Sequence, residues 1–167
     1  ASSRHVVTSL VLDLLDVPRD APQDVRRKAL RDAVSAKVIR PEDEILVTNL
    51  FNLPMSEQEI ETYAALGGET RLAARKIVLA SLVRWRVKEN PVMVVIDDVH
   101  WADDVTIDVL ADLAASLRDC PILLVMTTRV EGDPIDVHWR VTAGGVPVTT
   151  IDLGPLSASE SEILAQS

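Results

Sequence analysis

The chain has 167 residues, enough for one domain with a sizeable core, and carries 17 basic against 26 acidic side chains for a formal net charge of −9. That balance, with cations scattered among acids, argues against a nucleic-acid backbone as the main partner, and 3% aromatic content leaves no stacking platform for single strands. One cysteine, Cys120, excludes an internal disulfide and suits a reducing compartment. No apolar run approaches the ~20 residues that span a bilayer, and nothing resembles a signal peptide, so the expected location is cytoplasmic. The chain begins Ala1-Ser2-Ser3 without an initiating methionine, so it is expected to be a piece of something longer.

Residues 1–90 contain no convincing strand but several marks of helix punctuation. Val7, Leu10, Val11, Leu14 and Leu15 form a helical stripe within residues 4–16. Asp20 precedes Pro22 and Gln23, a cap followed by proline in a first turn. Arg26-Arg27-Lys28 and, further on, Arg84, Arg86 and Lys88 read as solvated helix faces. Ser56-Glu57-Gln58-Glu59 is a capping-box pattern, and Gly67-Gly68 ends the short helix that it starts. A long helix is predicted from about Glu69 to Glu89, with Leu72, Ile77, Ala80, Val83 and Val87 among its buried positions.

From residue 91 the texture becomes strand, helix, strand. Val92-Met93-Val94-Val95-Ile96 is apolar at every position, which predicts a strand of a parallel sheet buried on both faces. Ile107, Leu110, Ala114 and Leu117 stripe the next helix, started by Asp103 or Asp104 as cap. Ile122–Thr127 is a second apolar strand, ending in Thr128-Arg129, and the three elements make a right-handed βαβ unit. Residues 130–146 read as loop with one helical stretch around Ile135–Val141. A third strand is predicted at Val148–Leu153, with a capping box at Ser157–Glu160. The fold class is therefore α/β.

The chemistry concentrates where the first strand ends. Asp97 and Asp98 follow five apolar residues, and a buried carboxylate without a partner costs several kcal/mol or gives up its charge. In open α/β sheets ligands gather at this end of the strands, and a Mg²⁺ ion with a nucleotide phosphate would pair the acids well. The bland alternative is that the two acids cap the next helix and face water. For His100 a satisfied structural histidine competes with a functional one. Arg129 at a strand end is ordinarily a solvated cation, Asp103 a helix cap, and Cys120 inert packing.

Val94-Val95-Ile96-Asp97-Asp98-Val99-His100-Trp101-Ala102-Asp103 resembles the Walker B region of bacterial signalling P-loop ATPases of the STAND branch, within the AAA-like class. Such domains accompany class III adenylate or guanylate cyclases and MalT-like, LuxR-type regulators. The similarity continues through Met126-Thr127-Thr128-Arg129 at the sensor position and Leu153-Gly154-Pro155-Leu156-Ser157 with Glu160 toward the lid. The resemblance implies a partial P-loop NTPase parallel sheet over residues 91–167. It also implies a helical segment over residues 1–90, between the phosphate loop and Walker B. It implies that Asp97 holds Mg²⁺, that Asp98 orients or activates the attacking water, and that Arg129 senses the γ-phosphate of ATP. His100 would relay nucleotide state, and Trp101 would pack under the following helix.

The six glycines form no Gly-x-x-x-x-Gly-Lys-Ser/Thr loop, so the phosphate grip is expected upstream of Ala1 and the lid beyond Ser167. Mg²⁺ and ATP are thus cofactors of an intact parent, not tight ligands of this chain. Its partners would be the upstream phosphate-loop segment, the lid and a cyclase or DNA-binding output. The strand that carries the phosphate loop would lie between the strand ending at Arg129 and Val148–Leu153. Its absence predicts open sheet edges and self-association. Two other readings remain. One is a non-catalytic scaffold or interaction module; the other is a phosphoacceptor receiver domain, disfavoured because receivers place their acids near the N-terminus.

Overall fold

The computed structural model describes residues 3–156 and residue 165, with side chains from Val6 onward. Its architecture is mixed α/β: five helices, then a strand, a helix, a parallel strand and a short helix. The helices are α1 (Ser3–Leu14), α2 (Gln23–Ser35), α3 (Glu44–Leu50), α4 (Glu57–Ala65) and α5 (Gly68–Arg86). Then follow β1 (Val92–Ile96), α6 (Asp104–Ser116), β2 (Ile122–Met126) and α7 (Val137–Thr142).

The amphipathic stripes find their partners as the periodicity predicts. Val7, Val11 and Leu14 of α1 are buried against Val78, Leu79, Leu82 and Val83 of α5 in one apolar cluster. Ala80 is buried too, Leu72 and Val87 pack partly, but Ile77 stands 41% exposed on the other side of α5. Ser56 and Glu59 form the capping box that starts α4, each satisfying an amide of the other. These hydrogen bonds from the Ser56 amide and hydroxyl hold the Glu59 carboxyl below its usual range. Helix α2 begins otherwise than predicted: Pro22, not Asp20, takes the cap position, without a side-chain cap. Proline fits because its fixed φ is already suited to entering a helix and it has no amide to leave unpaired.

Helix α3 was hidden in the sequence. Leu46, Val47, Thr48, Leu50 and Phe51 are all buried, so the segment is apolar nearly all round and shows no clean period. Its neighbour Asp43 is a buried carboxylate answered by Arg40, whose Nε lies 2.6 Å from Oδ2. That hydrogen bond also raises the pKa of Arg40, so the guanidinium remains charged.

Several cations read as solvated are in fact ties. Arg26 donates to the carbonyls of Phe51 and Arg19, fastening α2 to the end of α3. Arg84 donates to the Ser116 carbonyl at the end of α6, and Arg86 pairs with Asp16 beyond α1.

Strands β1 and β2 form a two-stranded parallel sheet in which Val92 faces Ile122 and Ile96 faces Met126. Helix α6 joins them and belongs to both apolar clusters. Val109, Leu113 and Leu117 enter the large helical core, while Ala111, with Ile107 and Ala114, packs on Ile96, Met126, Val99, Ile135 and Trp139. Two predictions fail here. The sheet is not buried on both faces: Met93, Val95 and Leu123 are 64%, 54% and 54% exposed. Residues 148–153 form no strand, and Ile151 and Leu153 are 76% and 90% exposed. Both follow from one cause, because a strand exists only with a hydrogen-bonded neighbour and a face is buried only when something covers it. The capping box predicted at Ser157–Glu160 lies outside the described residues.

Phe51, fully buried where α1, α2 and α3 meet, is the chain's sole phenylalanine. Phe51→Ala should cost about 3–5 kcal/mol of stability, read from urea unfolding followed by far-ultraviolet dichroism.

Candidate functional site

At the C-terminal end of the sheet one side chain organises the others. Thr127 directly follows β2, and its amide donates to the Ile96 carbonyl at 3.1 Å, extending the parallel ladder by one rung. Its carbonyl accepts the Val99 amide at 2.9 Å. Its hydroxyl accepts the Asp98 amide at 2.8 Å and donates to Asp97 Oδ1 at 3.2 Å. The last residue of β1 and the turn after it are therefore fastened to the end of β2 through four hydrogen bonds at a single residue, one to Ile96 and three to the turn.

Those bonds shape the acids. Asp97 is exposed and has one carboxylate oxygen oriented by Thr127. Asp98 is in the left-handed conformation, φ 56° and ψ 46°, where a side chain costs roughly 1 kcal/mol and Asp, Asn and Gly are the usual occupants. This reversal lets Val99–Trp101 form a tight 3-10 turn and drives Val99, 1% exposed, into the smaller apolar cluster. Asp103 then caps α6: its Oδ1 accepts the Thr106 amide at 2.9 Å and the buried Thr106 hydroxyl at 2.6 Å. Its predicted role as a cap is the one observed.

His100 is held differently from either predicted role. Its side chain is 8% exposed, yet among the described residues neither ring nitrogen has a hydrogen-bond partner. Nδ1 lies 3.9 Å from Asp98 Oδ1, too far for a hydrogen bond. It is thus not a satisfied structural histidine. Trp101 departs from the expectation as well. Instead of packing under α6, the residue is 63% exposed, with its ring 5.1 Å from the His100 ring by centroids. Cζ of Arg129 lies 5.7 Å from the Trp101 ring centroid, a cation–π contact. The structure accordingly brings Asp97, Asp98, His100 and Arg129 to the same end of the sheet, joined by Thr127 and Trp101. Neither of these two was singled out as a site residue. The signal for Thr127 was in the sequence: it is the first polar residue after an apolar strand paired with the one that Asp97 ends.

A groove of about 390 Å³ lies elsewhere, along β1 and the end of α5, with Leu10, Leu14, Arg86, Met93 and Val95 among its lining. It touches none of the four site residues. Among the described residues no three His, Cys, Asp or Glu side chains group so as to hold a metal ion, and no helix is long and apolar enough to cross a membrane.

Compared with protein-family models, curated proteins and solved structures, the chain matches none.

The strain at Asp98 yields a prediction. Asp98→Gly keeps the amide that Thr127 accepts and removes the left-handed penalty, so stability should rise by up to about 1 kcal/mol in urea unfolding. A loss of stability instead would mean that the carboxylate itself holds the turn.

Proposed function

We propose that this chain is the Walker B and sensor portion of a nucleotide-binding regulatory domain, a P-loop signalling ATPase of the STAND type within the AAA-like class. In the parent, ATP binding would switch a lid and drive a cyclase or DNA-binding output. The observation that carries the reading is the Asp97 carboxylate, exposed at the C-terminal end of a parallel strand pair and oriented by Thr127 from the neighbouring strand. Ligands collect at that end of open α/β sheets.

The residues present suit one cation and not another. An exposed carboxylate that belongs to no three-residue cluster among the described residues is a poor cage for zinc. It fits Mg²⁺, which keeps several waters and takes one or two carboxylates besides phosphate oxygens. Asp97 would hold the ion, and Mg²⁺ supplies charge neutralisation of the β- and γ-phosphate oxygens when bound with ATP. Asp98, whose side chain is 67% exposed, would accept a proton from or orient the attacking water. Arg129, exposed at the end of β2, would meet the γ-phosphate. His100, buried beside Asp98 and without a hydrogen-bond partner among the described residues, would register the change in charge there. The division into a helical segment over 1–90 and an α/β part over 91–167, and the cytoplasmic location, belong to this same reading.

The test needs a chain extended upstream to include a phosphate loop. There, Asp97→Asn should abolish Mg²⁺-dependent hydrolysis while sparing much of nucleotide binding; unchanged turnover would sink the assignment.

The bare sheet face favours a second reading, an interaction module without nucleotide chemistry. Met93, Val95 and Leu123 present an apolar surface beside unpaired strand edges, which template pairing with another chain. Self-association of the 167-residue chain, weakened by the double substitution Met93→Lys/Leu123→Lys, should appear in sedimentation velocity. A monomer at every concentration reached would remove this reading.

A further inference from the structure

Arg129 lies at the same end of the sheet as the carboxylates of Asp97 and Asp98, yet its guanidinium forms no ion pair with either. The register makes this notable. Ile96 faces Met126, so Asp97 and Asp98 follow one strand end as Thr127 and Thr128 follow the other, with Arg129 next in line. The guanidinium instead sits against the exposed Trp101 ring, at 5.7 Å from its centroid.

We propose that Trp101 is a positioning residue that holds Arg129 off Asp97 and Asp98 until an oxyanion, the terminal phosphate of a nucleoside triphosphate, takes the guanidinium from it. The inference rests on the nucleotide reading above and deepens it. An arginine paired with Asp97 would neutralise the carboxylate and occupy the face that a cation needs. A ring contact leaves that face open and holds the guanidinium only weakly, because an exposed cation–π contact is a modest interaction. An exposed arginine–carboxylate pair is worth no more than such a ring contact, whereas a terminal phosphate carries more charge and offers charge-assisted, bidentate hydrogen bonds, so the exchange runs toward phosphate. Trp101 is itself set in place by the 3-10 turn and by its neighbour His100, whose ring is buried and 5.1 Å away. The berth is therefore built on the same turn that carries the acids.

The measurement is the Nε–Hε cross-peak of Arg129 in the ¹⁵N-labelled 167-residue chain, assigned by its loss in Arg129→Lys. Ring current should place the Arg129 proton upfield of an ordinary arginine by a few tenths of a part per million. Trp101→Phe should keep that shift, and Trp101→Leu should abolish it. Millimolar tripolyphosphate should move the wild-type signal away from its upfield position and leave Trp101→Phe responding alike. Identical positions in the wild type and Trp101→Leu would overturn the berth, and a signal unmoved by tripolyphosphate would overturn the exchange. Neither outcome depends on turnover by Asp97 in an extended chain, so failure of this inference and failure of the ATPase reading remain separate.

Discussion

The end of the sheet depends on Thr127, which employs its amide, its carbonyl and both capacities of its hydroxyl on the partner strand and the turn that follows it. A two-stranded sheet has little rigidity of its own, and among the described residues neither strand is flanked by another on its outer side. The side-chain staple supplies what neighbouring strands would otherwise give. It fixes the Asp97 carboxylate from one oxygen and answers the amide of Asp98 in a conformation that would otherwise be costly. The strain at Asp98 and the staple at Thr127 are parts of one arrangement. Without the reversal, Val99 could not turn inward to join Ala111, Ile135 and Trp139.

Behind this end stands α6, and the helical half of the chain serves largely to hold it. The helix is capped by Asp103 at its start and fastened along its length by Lys76 to Asp112 and by Arg84 to the Ser116 carbonyl. Arg118, just beyond its end, donates to the Gly144 carbonyl. A side chain at Gly144 would have to sit at φ +69° with its Cβ 2.8 Å from Arg118 Nη2, so glycine there makes room for the tie. Burial of Val109, Leu113 and Leu117 in the large core gives the helix its place, and Ala111 passes that placement to the sheet end. The exposed pairs add little by comparison, since surface ion pairs contribute roughly 0–1 kcal/mol.

The elements legible in the sequence were those whose cause is local. The Ser56–Glu59 box needs only four consecutive residues, and the stripes of α1 and α6 need only their own period. The strand–helix–strand order and Asp103 as cap were likewise readable. What escaped depends on distant partners. Residues 148–153 have strand composition, but among the described residues no strand pairs with them, and they remain irregular. Met93 and Val95 are as apolar as Val94, and only the missing cover makes them exposed. Arg26, Arg84 and Arg86 look like any surface cation until the carbonyls and carboxylate that they reach are brought close by folding. At the site, the positions of Asp97, Asp98, His100 and Arg129 at one edge followed from strand order alone. The berth at Trp101 and the staple at Thr127 required side-chain directions.

The exposed sheet face and the sheet-end site are consequently not independent features. Met93, Val95 and Leu123 alternate along the same two strands whose ends carry Asp97 and Thr127. Apolar burial on that face would add strength to the strand pair, at about 25 cal/mol for each Å² removed from water. A neighbour hydrogen-bonded to the outer edge of β2 would add to it through the backbone. Either addition would act on the strand that presents Thr127, and through its hydroxyl on the direction of the Asp97 carboxylate. A partner that completes the sheet would therefore act on the strand that leads into Thr127, whose hydroxyl holds one oxygen of the Asp97 carboxylate.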